Sequence, residues 1–126
     1  MPLAHGVDIV EVSRIASMLD AHAERFRERC FTAGEITYCE SHPARRAEHY
    51  AARFAAKEAA LKALGTGWSD GIAWTDVEVA RSDTGAPSLV LHALAKSRAH
   101  ELGLLTWSLS LSHTETHAIA SVVAMG

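Results

Sequence analysis

No stretch of this chain stays apolar for the ~18 residues that a membrane-spanning helix needs, and no basic-then-apolar leader opens it, so a soluble, unexported protein with no membrane partner is expected. Cysteine is scarce. Cys30 and Cys39 match no zinc-binding spacing and offer no disulfide framework, which suits reduced thiols in a cytoplasmic protein. A basic excess is missing as well: 12 Lys and Arg stand against 15 Asp and Glu, which argues against a dedicated nucleic-acid binder. The chain has no internal repeat, linker or low-complexity segment, so residues 1–126 read as one domain. That length buries a real core but is short for enclosing a wide cleft, so a cleft of that kind calls for a second copy of the chain.

The charge that is present is unevenly spread. Residues 1–62 carry nine basic and nine acidic side chains, against three and six in residues 63–126. Arg25, Arg27, Arg29, Arg45 and Arg46 are candidates for a local basic surface facing an acidic partner. Arg25 to Arg29 also alternate with Glu24 and Glu28, the pattern of a solvated helix face.

Residues 5–12 are β-branched and suit a strand with Gly6, Asp8, Val10 and Val12 on one side. Ser13 is placed to cap a helix running to about Arg29, with Ile15, Met18, Leu19, His22 and Phe26 at helical spacing. Thr32 and Glu35 have the form of a capping box for a short helix through Tyr38. Pro43 suits the first turn of a helix that continues through Glu58 and stops at Gly65. Further on, Trp74–Arg81 and Ser88–His92 read as a hairpin, about Leu94 to Leu102 as a helix, and 105–112 and 118–125 as two more strands. Trp107, Leu109 and Leu111 alternate strictly with serines. The layout is α+β: a mostly antiparallel sheet packed with helices.

Chemistry concentrates in residues 53–67. At 100° per residue Phe54, Leu61 and Leu64 form an apolar stripe, and Glu58 falls beside it. A carboxylate there needs a cation, and the candidates are Lys62 one turn on or a bound metal ion. Asp8, depleted from strands by propensity, would serve as a ligand for a hard cation such as Mg²⁺, or would cap a helix or pair with an arginine. Gly65-Thr66-Gly67 either presents backbone N–H groups to a phosphate or simply ends the helix. Arg53, Lys57 and Lys62 add cationic reach on the same helix, although 53 and 57 project away from the Glu58 side and only Lys62 is placed to share a site with Glu58. His113-Thr114-Glu115-Thr116-His117 lacks the residue order of the helical zinc-protease motif and reads as a polar hairpin turn. His113, at the end of a serine-faced strand, either hydrogen-bonds an anionic ligand or is a histidine at the edge of the core.

Taken in order, Gly6-Val7-Asp8 through Ile15, Phe31-Thr32-Ala33-Gly34-Glu35, Arg53 through Gly67, and Ser110-Leu111-Ser112-His113 resemble the holo-[acyl-carrier-protein] synthases, the short type of 4′-phosphopantetheinyl transferase. The pairing of an early G-x-D with a later F-x-x-K-E-A-x-x-K, here Phe54 to Lys62, carries most of the resemblance. It implies the transferase fold and Mg²⁺ held by Asp8 and Glu58. It also implies attack by a serine hydroxyl of apo acyl carrier protein on coenzyme A, with release of 3′,5′-ADP, in fatty acid and lipid biosynthesis. Glu58 would also accept the serine proton, directly or through a metal-bound water, and Lys62 would steady the phosphates or the leaving group. Arg53, Gly65, Gly67 and His113 match positions lining the coenzyme A site, and Arg14 would face the acidic helix of the carrier protein. The resemblance further implies a homotrimer with sites between subunits. His92, where many members have Gly, and His117, where an aromatic is common, depart from the pattern. Two readings compete with this one: a non-catalytic coenzyme A or carrier-protein binding module, and a zinc hydrolase built on His113 and His117.

Overall fold

The computed structural model describes residues 1–68 and 71–126. In chain order they form β1 (Leu3–Glu11), α1 (Val12–Ala21), α2 (Ala23–Cys30), α3 (Ala33–Glu40), α4 (Arg46–Leu64), β2 (Val77–Arg81), β3 (Pro87–Leu91), α5 (Ala93–Glu101), β4 (Thr106–His113) and β5 (His117–Met125). Two antiparallel sheets result, one ordered β1-β5-β4 and the other a β2-β3 hairpin, so the strands predicted as one set divide in two.

α4 runs through the middle of the molecule. Ala51, Ala52, Ala55, Ala56, Ala59 and Ala60 along it are all buried, and the inner face of β5 answers with Ala118, Ala120, Val122 and Ala124. Alanine holds a helix at little entropic cost, and its small side chain lets strand and helix backbones come close. The closest approach is at Gly6, where an added Cβ would lie 1.9 Å from the Ala59 carbonyl oxygen. Burial wraps nearly all the way round α4 from Tyr50 to Leu64, so the predicted stripe of Phe54, Leu61 and Leu64 does not define its core face. Glu58 is half-buried, among the more open positions of the helix.

The other differences are local. The helix expected from Ser13 to Arg29 breaks at His22, whose φ of −138° and ψ of 37° lie outside helical values. α1 packs on α4, whereas α2 turns to meet the segment around Trp74. Glu11, not Ser13, is the N-cap residue, and it makes no side-chain capping bond. Pro43–Arg45 is a separate 3₁₀ turn before α4. Trp74–Asp76 is another, closed by Asp76 Oδ2 accepting the Ala73 N–H at 3.1 Å, so β2 begins at Val77. The Thr32–Glu35 capping box forms as expected: Thr32 Oγ1 accepts from Glu35 N–H, and Glu35 Oε1 accepts from Thr32 N–H at 2.8 Å.

The outer face of the three-stranded sheet is apolar and open. Leu3, Val7 and Ile9 of β1 and Ile119, Val123 and Met125 of β5 all lie exposed there, Ile9 to 63%. Ser108, Ser110 and Ser112 continue that face across β4. None of the helices among the described residues is long and apolar enough to cross a membrane.

Candidate active site

Gly6 and Asp8 share the side of β1 that meets α4, and Gly6 lets the strand close enough for Asp8 to reach the last turns of the helix. There Lys62 donates through Nζ to Val7 O at 2.9 Å and to Asp8 Oδ1 at 3.1 Å. The ion pair of Lys62 is thus with Asp8, where spacing along the helix pointed to Glu58. Glu58 feels the same group: burial first, and then the Asp8 charge, push its carboxyl above the ordinary glutamate range, while Lys62 and Arg14 pull the other way. Two residues fifty positions apart in sequence are therefore one electrostatic unit.

A half-buried carboxylate beside a second carboxylate favours uptake of either a proton or a cation. No group of three or more His, Cys, Asp and Glu among the described residues is placed to hold a metal. A pair of carboxylates, with the remaining positions left to water and phosphate oxygens, is the donor set that suits Mg²⁺. Asp8 and Glu58 fit that donor set, whereas Lys62, an ammonium with no lone pair, is a neighbouring cation and not a ligand.

At the end of α4, Gly65 adopts φ 74° and its N–H bonds Leu61 O at 2.9 Å and Lys62 O at 3.2 Å, which closes the helix. That amide is spent on helix termination and is not offered to a phosphate. Gly67 also has positive φ, 58°, with open space where a Cβ would stand.

Arg53 and His113 meet in a second place, a cleft of about 170 Å³ that Tyr38, His49, Arg81 and Pro87 also line. Arg53 is only 4% exposed, with its guanidinium 4.2 Å from the centre of the Tyr38 ring and its Nε buried without a partner. Arg81 lies over the same ring at 4.6 Å and donates to the Tyr38 hydroxyl. His113 Nδ1 is 2.8 Å from Glu48 Oε1. Burial foremost, then Arg53, pushes His49 down to about 4, so it is neutral near pH 7. The cleft is lined by two guanidiniums, which suits an anion. Asp8 pairs across β5 at Ala120 with Leu111 of β4, so the carboxylate pair and this cleft flank opposite edges of the sheet, roughly 10 Å apart or more.

A third feature is a groove of about 390 Å³ lined by Arg14, Met18, Arg25, Arg29, Phe54 and Trp74. The Arg14 guanidinium sits 5.6 Å from the Phe54 ring centre, and Trp74 stacks on Phe54 at 4.7 Å. Arg27 and Arg46 are not part of it, because both bind Glu40, at 3.0 and 2.7 Å. The arginines that look like one cluster in sequence have two uses.

Lys57 is the clearest correction. Instead of adding cationic reach it is 0% exposed, donating to Glu35 Oε1 at 2.8 Å, to Trp74 O at 3.1 Å and to Val77 O. Glu35 is 1% exposed and its other oxygen accepts the Val79 N–H at 2.8 Å, so the capping glutamate also fastens β2 to α3. Arg81 and Glu48 went unnoticed as site residues, since nothing local in sequence marks either. Residues 114–116 form the expected turn between β4 and β5, where Thr114 accepts the N–H groups of Thr116 and His117. His113 is engaged by Glu48, and His117 Nδ1 by Thr116 Oγ1, so the pair offers no zinc site. His92 bonds Glu78 at 3.0 Å, away from both centres.

The family model of the 4′-phosphopantetheinyl transferase superfamily matches residues 4–122. A holo-[acyl-carrier-protein] synthase of Koribacter versatilis is 50% identical over 123 residues, 98% of this chain and 98% of the relative. One from Solibacter usitatus is 46% identical with the same coverage. Among solved structures, the Helicobacter pylori holo-[acyl-carrier-protein] synthase in complex with coenzyme A superposes with a TM-score of 0.84 at 30% identity, covering 96% of this chain and 99% of that one. The Neisseria meningitidis enzyme gives 0.85 at 31% identity, with 98% of each chain covered.

Proposed function

The chain belongs to the 4′-phosphopantetheinyl transferase superfamily, and on that ground we propose that it moves the phosphopantetheine arm of coenzyme A onto a serine hydroxyl of apo acyl carrier protein, releasing 3′,5′-ADP. The observation that carries the reading is the meeting of Asp8, Glu58 and Lys62, because phosphoryl transfer asks for positioning and charge neutralisation more than for a protein nucleophile. Asp8 and Glu58 are the residues that would hold Mg²⁺. Bound there, the ion neutralises charge on the pyrophosphate of coenzyme A and makes its phosphorus a better electrophile.

The chain's own groups do the rest. Glu58, beside the place where the serine would attack, would take its proton directly or through a water. Lys62 has a side chain 56% exposed, so its ammonium is free to turn from Asp8 to the phosphates and steady the leaving group. Arg53 and His113 bind an anionic part of coenzyme A in their cleft, and Gly65 and Gly67, both at positive φ, follow the last turn of α4 just beyond Lys62. Arg14, Arg25 and Arg29 around Phe54 suit an acidic, amphipathic carrier-protein helix: charge at the rim and an apolar floor.

One chain holds the carboxylate pair and the cationic cleft at opposite edges of a sheet whose outer face is apolar. The family resemblance implies a trimer with sites between subunits, and the open apolar face offers a surface that such packing would cover. Two unpaired cysteines, Cys30 and Cys39, agree with a cytoplasmic setting. Calorimetry separates this reading from a silent binding module. Coenzyme A binding that strengthens with Mg²⁺, followed by turnover on adding apo carrier protein, supports the transferase; binding indifferent to Mg²⁺ with no product supports the module.

A further inference from the structure

The chain reverses direction after α4. Gly65 and Gly67, at φ 74° and 58°, fold it back so that Trp68 packs against the apolar cluster that contains Leu61 and Leu64. The Trp68 ring lies on Trp74 at 3.8 Å between centres, and Trp74 lies on Phe54 at 4.7 Å. Phe54 stands one helical turn before Glu58, on the same face of α4. Trp74 is itself fixed, since its carbonyl accepts from the buried Lys57 at 3.1 Å. Three stacked rings therefore carry an indole N–H to the side of the helix on which Glu58 stands.

That N–H is unspent. Trp68 Nε1 is buried and meets no acceptor at hydrogen-bond geometry, and a buried donor left in that state is costly. Burial foremost raises the Glu58 carboxyl, while Lys62, Arg14 and the Trp68 indole pull it down, which sets the indole beside Glu58. The indole nitrogen is a donor only, and it carries no charge. Lys62 holds Asp8 as a cation, whereas an uncharged donor steadies a carboxylate without repelling a metal ion drawn to the same group.

We propose that Trp68 is a positioning residue for the carboxylate pair: its indole N–H closes onto one oxygen of Glu58 and leaves the other turned toward Asp8 for a divalent cation. Resting on the metal reading of Asp8 and Glu58 above, this gives Trp68 a role toward Mg²⁺ without contact to the ion. It acts through Glu58.

The test follows the Trp68 indole N–H in two-dimensional nitrogen–proton spectra of the whole chain, with Mg²⁺ alone titrated in and no coenzyme A present. Of the three tryptophan indole signals, it is the one that survives in both Trp74→Phe and Trp107→Phe. In the unaltered chain it should shift with Mg²⁺ and saturate; in Glu58→Gln it should start upfield of its unaltered position and stay there. Trp68→Phe keeps a ring on Trp74 and loses the N–H. In the transfer assay it should raise the Mg²⁺ concentration at half-maximal rate about tenfold and leave KM for apo carrier protein unchanged. An indole signal that stands at the same place in Glu58→Gln as in the unaltered chain overturns the inference. So does Trp68→Phe with an unaltered Mg²⁺ dependence, or with Mg²⁺ dependence and carrier-protein KM rising together. No transfer from coenzyme A by the unaltered chain overturns the functional reading, while the Mg²⁺ response of the indole signal still decides the role of Trp68.

Discussion

Lys62 reaches from the last turn of α4 to β1 and donates a 3.1 Å hydrogen bond to Asp8, which ties the strand's one carboxylate facing the helix to the helix that carries Glu58. The same ammonium also holds the Val7 carbonyl at 2.9 Å, so strand position and site geometry are set together.

Glu58 lies in an environment that disfavours its charge, with burial and Asp8 both raising its carboxyl. Glu58→Gln should therefore abolish turnover while leaving thermal stability equal or slightly higher, by about 1 kcal/mol at most. Scanning calorimetry alongside a rate assay checks this. A variant that loses activity only because it melts early would count against a functional role for Glu58.

Gly6 has no room for a side chain. Gly6→Ala puts a methyl group 1.9 Å from the Ala59 carbonyl oxygen, so β1 must move off α4. A loss of about 3 kcal/mol or more in denaturant unfolding is expected, together with loss of activity because Asp8 moves with the strand. An Ala variant of unchanged midpoint would contradict this packing.

The buried Lys57–Glu35 pair behaves differently from a surface ion pair. Lys57→Met leaves Glu35 with its capping and Val79 bonds but without its cation, at a cost of about 3–5 kcal/mol. The Lys57→Met, Glu35→Gln double variant should recover part of that loss. Urea unfolding of the single and double variants measures it, and strict additivity would contradict direct coupling.

Much of this was legible in the sequence. The α+β layout, the Thr32–Glu35 capping box, the stop at Gly65 and the alternation in β4 followed from local rules, since each rests on residues a few positions apart. What escaped depended on contacts between distant segments. Asp8 and Glu58 each stood out as misfits, yet no spacing rule brings residues fifty positions apart together. Lys57 resembled a solvent-facing cation because its partners, Glu35 and the carbonyls of 74 and 77, come from other elements. The apolar stripe misjudged α4 because buried alanines carry little pattern of their own. The break at His22 escaped because Ile15 and Phe26 keep helical spacing straight through it.

Acid should weaken the fold in two stages. His49, pushed down to about 4 from 6.5, must charge on unfolding, so its contribution is complete above pH 6.5 and falls away as pH drops toward 4. Glu40 is held at about 2, chiefly by its hydrogen bond from Arg46, with Tyr50 and Arg27 also donating. Its stabilisation is complete above pH 4.5 and lost as pH falls toward 2. Allowing for a side chain one-third open to solvent, it amounts to on the order of 1–2 kcal/mol. Melting temperature against pH for the unaltered chain and His49→Gln checks the upper stage: the variant should be flatter between pH 6.5 and 4.

The proposed trimer has its subunits meet on the outer sheet face. On that proposal Ile119→Glu, on the central strand of the face and opposite Ile9, should give a monomer in light scattering and remove activity without unfolding the chain. A monodisperse monomer that keeps full activity would contradict sites formed between subunits.

The central claim is tested most directly by the intact mass of an apo acyl carrier protein after incubation with this protein, coenzyme A and Mg²⁺, beside the same mixture with EDTA and one made with Asp8→Ala. The account predicts a gain of one phosphopantetheine arm in the first sample and none in the other two. An equal gain with EDTA or with Asp8→Ala would contradict the role given to the carboxylate pair. No gain with any of several apo carrier proteins would contradict the transferase itself.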